Sequence, residues 1–162
     1  MCIRDSPALY DDSVETAFVA NYTRNVLGQK TASIIHDLTP QGLKMAEAFE
    51  NTYGRFGTRI RYKWGFDGAA NNLDARLNEI VEELKTKLDA GTVFIAADDV
   101  IAARVLKAMR SAKARNQVVG PSTMASRAFR EAVGKDPDTV AQLVDKIVAS
   151  TPLLFDLSLI HI

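Results

Sequence analysis

Residues 31–42 read TASIIHDLTPQG, and the fold of the chain follows from how this stretch is parsed. A short, mostly apolar run, residues 32–35, leads into a turn and then directly into a helix. Thr39 is suited to cap that helix, and Pro40 falls at its first position, where the missing N–H costs nothing. Met45, Ala46, Phe49 and Tyr53 then recur at helical spacing. A strand feeding a helix is the first half of a βαβ unit. In open α/β sheets, ligands bind beyond the carboxyl ends of the strands. Residues 36–41 are therefore the first candidate functional turn.

The pattern repeats outward from there. Upstream, residues 12–26 are predicted helical: Asp12 and Glu15 have capping-box spacing, Val14, Phe18, Tyr22 and Val26 form one apolar stripe, and Gly28 ends the run. Downstream, TRIRYKWGF (58–66) alternates, with Ile60, Tyr62, Trp64 and Phe66 on one face and Arg59, Arg61 and Lys63 on the other, which suits an edge strand. A helix over 73–88 carries Leu73, Leu77, Ile80, Val81, Leu84 and Leu88, and Glu83 and Lys87 are spaced for a surface pair. VFIAA (93–97) is continuously apolar, as in a parallel strand covered on both faces.

Asp98 or Asp99 caps the next helix, whose stripe is Ile101, Val105 and Met109 with Leu106 alongside. The basic stretch 107–115 reads as a solvated helix end. A fourth strand is expected at 117–120, a turn at 121–123, and helices at 126–133 and 136–149, the latter with Val140, Leu143, Val144 and Ile147. TPLLF (151–155) has the look of a further strand. Strands alternating with helices give an α/β fold with a doubly wound parallel sheet, Rossmann-like in organisation. With the alternating second strand at the edge, the expected order is 2-1-3-4.

The two ends of the chain read differently from the rest. LSLIHI (157–162) back-translates as CTG TCT CTT ATA CAC ATC. The reverse complement, read from its ATG, encodes Met-Cys-Ile-Arg-Asp, the start of MCIRDS (1–6). Residues 1–6 and 157–162 are accordingly read as the two strands of one sequencing adaptor. Residues 7–156 are then an internal fragment of a longer protein, and both ends are set aside. Cys2, the single cysteine, falls in the first of these ends, so the remainder offers no thiol chemistry.

Charge and motifs narrow the function. Twenty basic and twenty acidic side chains balance, which argues against a nucleic-acid partner or an anionic membrane surface. No apolar run approaches the roughly 18 residues of a membrane span. The turn HDLTPQG has no glycine-rich phosphate loop, no histidine or cysteine cluster suits zinc, and no G-x-S-x-G nucleophile elbow occurs. No catalytic residue, metal ligand or cofactor is assigned, and the chain is read as a non-enzyme. Asp98 and Asp99 after the third strand raise an alternative, a phosphoacceptor receiver domain. That reading also wants a lysine at the end of a later strand, and Gly120-Pro121-Ser122 stands there instead.

The run TASIIHD, a Gln-Gly four residues on, and the alternating strand ending in FDG together resemble the C-terminal lobe of type I periplasmic binding proteins. The group most similar is the branched-chain amino acid and amide binders of ABC importers. VFIAADDVIAARVLKAMRSA, VVGPSTMAS and TPLLFD match further parts of that lobe in order and spacing, and the resemblance covers nearly all of residues 7–156. It implies one lobe of a two-lobe fold, periplasmic or at the cell surface. It also implies a small polar solute such as an amino acid or amide, a membrane permease as partner, and an N-terminal lobe on the same chain. The same lobe in a ligand-sensing receptor ectodomain is the alternative. The chain departs from the amino acid binders at Gln41, Asp98 and Ser122, where they often carry a tyrosine, an aromatic residue and an acid. The expected ligand-binding residues are Gln41, Asp98, Ser122, Thr39 and Thr123.

Overall fold

A computed structural model describes residues 12–134, 140, 141, 143 and 146–150. The elements run α1 (Asp12–Asn25), β1 (Thr31–Asp37), α2 (Pro40–Gly54), β2 (Arg59–Phe66), α3 (Leu73–Thr86), β3 (Thr92–Ala96), α4 (Asp99–Ser111) and β4 (Val118–Gly120). A 3-10 turn (Ser122–Ala125), α5 (Arg127–Val133) and β5 (Ile147–Ala149) follow. All strand pairs are parallel, in the order β2-β1-β3-β4-β5. The expected order of the first four holds, with β2 at the edge. Its outward residues Arg59, Arg61 and Lys63 are exposed, while Trp64 and Phe66 are buried.

Each face of the sheet carries its own core. On one, Ala32, Ile34, Phe94, Ala96 and Val119 meet Met45, Ala46, Phe49 and Tyr53 of α2 and Val19 and Ala20 of α1. Phe49 stacks on Phe94 at 4.2 Å between ring centroids and on Tyr53 at 5.5 Å. On the other, Ile35, Trp64, Phe66, Val93, Ile95 and Val118 meet α3, α4 and α5. Adjacent residues of β1 and β3 thus point into opposite cores, which is why both strands are apolar throughout.

Four expectations change. The stripe Val14, Phe18, Tyr22 and Val26 does not enter the core. α1 packs through Thr16, Val19, Ala20 and Thr23 instead, with the Thr23 hydroxyl donating to the Val19 carbonyl at 2.7 Å. Small residues let α1 lie close to α2, and the larger apolar side chains are left outside. Leu88 lies beyond the end of α3 and is fully exposed. Glu83 and Lys87 do not pair: Lys85 binds Glu82 at 2.9 Å, and Lys87 sits over the Tyr62 ring. Residues 147–149, expected at the end of a helix, form a fifth strand beside β4, so the helical pattern of Val140 and Leu143 stops earlier than Ile147. The terminal segments 1–6 and 157–162 and the expected strand 151–155 lie outside the described residues.

The basic stretch 107–115 has one inward member, in the last turn of α4. Arg110 donates from Nε to the Leu143 carbonyl at 3.1 Å and from Nη1 to the Ala114 carbonyl at 3.0 Å. Its guanidinium satisfies carbonyls beyond the end of α4, and a cation in the last turn complements the helix dipole. Among the described residues, no helix is long and apolar enough to cross a membrane.

Candidate functional site

The parallel sheet brings the turns after β1, β3 and β4 to one rim, at the carboxyl ends of the strands. Each turn leads into a helical segment. Thr39 has extended backbone, φ −63° and ψ 154°, and its hydroxyl accepts from the Gly42 N–H at 3.2 Å, so it caps α2 as expected. Gly42 lies so close to Asp37 that a Cβ would run into the Asp37 carbonyl oxygen. The helix therefore starts directly against the strand.

Of the neighbouring acids after β3, Asp98 is the cap: its Oδ1 accepts from the Ile101 N–H at 2.9 Å. The second oxygen, Oδ2, has no partner among the described residues, and the side chain is exposed. Asp99 instead binds across the rim, its Oδ2 accepting from the Ser126 hydroxyl at 3.2 Å. Thr123 is not a cap. Its hydroxyl donates to the Ala97 carbonyl at 3.4 Å, and Ser126 caps α5 through the Phe129 N–H at 2.9 Å. The β3 and β4 turns are thus joined at two points.

The β1 and β2 turns are joined as well. Asp37 is buried, and its Oδ1 accepts from the Thr39 N–H at 3.1 Å and the Gly68 N–H at 3.4 Å. The Leu38 N–H donates to the Phe66 carbonyl at 2.9 Å. His36 is buried, with its ring Nδ1 3.1 Å from the Asp37 carbonyl oxygen. Both residues are buried and bonded within the turn.

The first turn of α1 reaches the same rim, which the sequence reading did not anticipate. The Gln41 amide donates to Asp12 Oδ2 at 3.0 Å. The Glu15 carboxylate accepts from the Ser122 hydroxyl at 3.1 Å, and also from the Ser122 N–H and the Ser150 hydroxyl. Two of the expected ligand residues, Gln41 and Ser122, are therefore each held by an acid of α1. The spacing of Asp12 and Glu15 pointed to a local capping box; in the folded chain both side chains leave their own helix. Among the described residues, no group of three or more histidine, cysteine or acidic side chains could hold a metal ion.

No family model and no curated protein sequence matches the chain. Solved structures do. A protein described as a branched-chain amino acid ABC transporter from Rhodospirillum rubrum superposes with a TM-score of 0.74 at 19% identity, over 89% of this chain and 38% of that one. A leucine-binding protein, LivK, from Thermotoga maritima gives 0.65 at 14% identity, over 78% and 35%. The branched-chain amino acid substrate-binding protein LivJ from Streptococcus pneumoniae, solved with isoleucine, gives 0.62 at 15% identity, over 90% and 39%. The chain spans about two fifths of the first and third of these. It has the fold of one lobe of the two-lobe periplasmic binding proteins.

Proposed function

We propose that this chain is the C-terminal lobe of an extracytoplasmic solute-binding protein. It closes with an N-terminal lobe around a small polar solute, such as an amino acid or amide, and delivers it to a membrane permease of an ABC importer. The supporting observation is the combination of that one-lobe fold with a rim where three helical segments begin after adjacent strands. The dipoles of helix starts favour acceptor groups, and although Thr39, Asp98 and Glu15 already take the Gly42, Ile101 and Ser122 amides, the rim adds side chains that both donate and accept. In this reading the lobe performs no catalysis. It works in the periplasm or at the cell surface, and residues 1–6 and 157–162 are adaptor sequence flanking residues 7–156.

Gln41, Asp98 and Ser122 are the contacts proposed for the solute, with Thr39 and Thr123 shaping the turns around them. Asp98 can act while still capping α4, because its Oδ2 has no partner among the described residues. Gln41 and Ser122 must exchange their bonds to Asp12 and Glu15 for bonds to the solute, or share them with it.

The test begins with the longer protein carrying both lobes, screened against amino acids, amides and other small polar solutes by thermal shift. The variants Gln41→Ala, Ser122→Ala and Asp98→Asn are then compared with the parent. Asparagine keeps the cap and removes the charge, so Asp98→Asn isolates the ligand contact. Loss of a charge-assisted hydrogen bond corresponds to roughly tenfold weaker binding or more. Parent-like affinity in all three variants places the solute elsewhere. The lobe alone should bind poorly, because closure needs both halves; submicromolar binding by this chain alone would contradict the proposal.

A further inference from the structure

The outward face of α1 is built like an interface. Val14, Phe18 and Val26 are 55%, 62% and 63% exposed, and Tyr22 stands beside Phe18 at 6.4 Å between ring centroids. The outward positions 14, 17, 18, 21, 22, 25 and 26 hold Val, Ala, Phe, Asn, Tyr, Asn and Val, with no charge among them. A quarter of the chain's residues are charged, and the outward face of a surface helix is where those charges are expected. Of the seven large hydrophobic side chains most exposed in the described structure, two lie on this helix and a third, Val26, follows it directly, its N–H still bonded to the Tyr22 carbonyl at 2.9 Å.

The pattern also has a symmetry. Val14, Phe18, Tyr22 and Val26 read aliphatic, aromatic, aromatic, aliphatic in either direction about residue 20. A two-fold axis through that point, perpendicular to the helix, sets Phe18 opposite Tyr22 of a second helix and Val14 opposite its Val26. A two-fold interface must be self-complementary in this way. Because the face carries no charge, the pairing opposes no like charges.

We propose that α1 is the contact of a two-fold dimer of this chain, the two copies of α1 running antiparallel. A second lobe closing over the rim is a poorer occupant. α1 meets the rim only with its first turn, through Asp12 and Glu15, and the stripe then runs three further turns away from it along the flank. The helix is about 21 Å long. Two such faces would bury on the order of 1,000 Å² in total, at the lower end of specific interfaces. An interface of that size belongs to the weak, transient class of association.

Sedimentation velocity over a concentration series up to about 500 μM should show a monomer–dimer equilibrium for the parent. Phe18→Asp should abolish the dimer while leaving the circular dichroism spectrum and the unfolding midpoint unchanged. In a Cys2→Ser background, Asn21→Cys lies next to the axis and should form a disulfide-linked dimer on mild oxidation. Asn25→Cys alone should not, whereas a mixture of Val14→Cys and Asn25→Cys chains should cross-link with each other. A parent that stays monomeric throughout overturns the proposal, and so does a dimer that survives Phe18→Asp. Self-linking through Asn25→Cys, the mark of a parallel pair, counts against it equally. A longer two-lobe protein that is monomeric where this chain dimerises would show that the other lobe covers the face, and would overturn it too.

Discussion

The Glu15 carboxylate accepts a hydrogen bond from the Ser122 hydroxyl at 3.1 Å across 107 positions of sequence. The same carboxylate takes the Ser122 N–H and the Ser150 hydroxyl, so one side chain ties α1 to the turn after β4 and to the end of β5. Glu15→Ala should leave these donors without an acceptor at a partly buried site. A hydrogen bond to a charged group contributes roughly 1.5–3 kcal/mol, and partial exposure to solvent lowers that. The expected cost is about 1–2 kcal/mol in urea unfolding, with Glu15→Gln less costly because its carbonyl still accepts. A Glu15→Ala protein as stable as the parent would mean that the contact is not formed in solution.

Two glycines make a second, opposed pair of predictions. Gly91 has φ +67°, and a Cβ there would collide with the main-chain oxygen of Thr31. Both the strained backbone and the clash with the neighbouring strand penalise Gly91→Ala, by about 2 kcal/mol or more. Gly54 ends α2 without a positive φ, and a Cβ there meets nothing within 4 Å. Gly54→Ala should be neutral or stabilise by up to about 1 kcal/mol. Equal midpoints for the two variants in thermal unfolding would contradict the backbone geometry of the loop before β3.

Much of this arrangement can be read from the residues, and what cannot has definite physical causes. The alternation of Ile60, Tyr62, Trp64 and Phe66 against three cations declared β2 an edge, and with it the strand order. Apolar periodicity found the α2 and α3 faces because those faces meet the sheet. On α1 the same rule pointed the wrong way: Thr16 and Thr23 are buried, and the larger side chains lie outside. Periodicity identifies an apolar face but not what covers it. Asp98 and Asp99 are the same residue type, so only the backbone at the strand exit, φ −66° and ψ 171° at Asp98, selects the cap. Thr39 was legible as a cap because Pro40 marked the first helical position. The bonds of Asp12 to Gln41 and of Glu15 to Ser122 depend on how a distant helix lies, and no local spacing carries that. β5 is three residues long and was hidden at the end of a helical pattern.

The core on the α2 side should respond most strongly to Phe49. Its ring stacks on Phe94 with planes 7° apart, and both side chains are fully buried. Phe49→Ala should cost about 3–5 kcal/mol, the transfer term plus the cavity. Phe49→Leu should cost far less, since the volume is partly kept. The double variant Phe49→Ala with Phe94→Ala should lose less than the sum of the two single losses, because the stacked pair is removed only once. Strict additivity in equilibrium unfolding would show that the two rings do not interact.

Alkaline pH offers a last check on how Tyr53 is held. The side chain is buried, and its hydroxyl donates to the Gln29 carbonyl at 2.8 Å. Burial raises its pKa above the ordinary 10.0, while the Arg24 guanidinium pulls the other way. Below pH 10 the folded and unfolded chains both keep the phenolic proton, and this group makes stability independent of pH. As pH rises past 10, the unfolded chain releases the proton first, so it binds fewer protons than the folded chain and stability falls until the folded phenol also ionises. Tyr53→Phe cannot show that loss. At neutral pH it should be less stable than the parent by about 0.5–1.5 kcal/mol for the missing hydrogen bond, and the gap should narrow above pH 10. Tyr62, whose pKa is raised mainly by its bond to Asp89, has the same sign of shift, so Tyr62→Phe is the control that separates a surface phenol from the buried one. A gap between parent and Tyr53→Phe that stays constant from neutral to alkaline pH would show that the Tyr53 phenol ionises as readily in the folded chain as in the unfolded one.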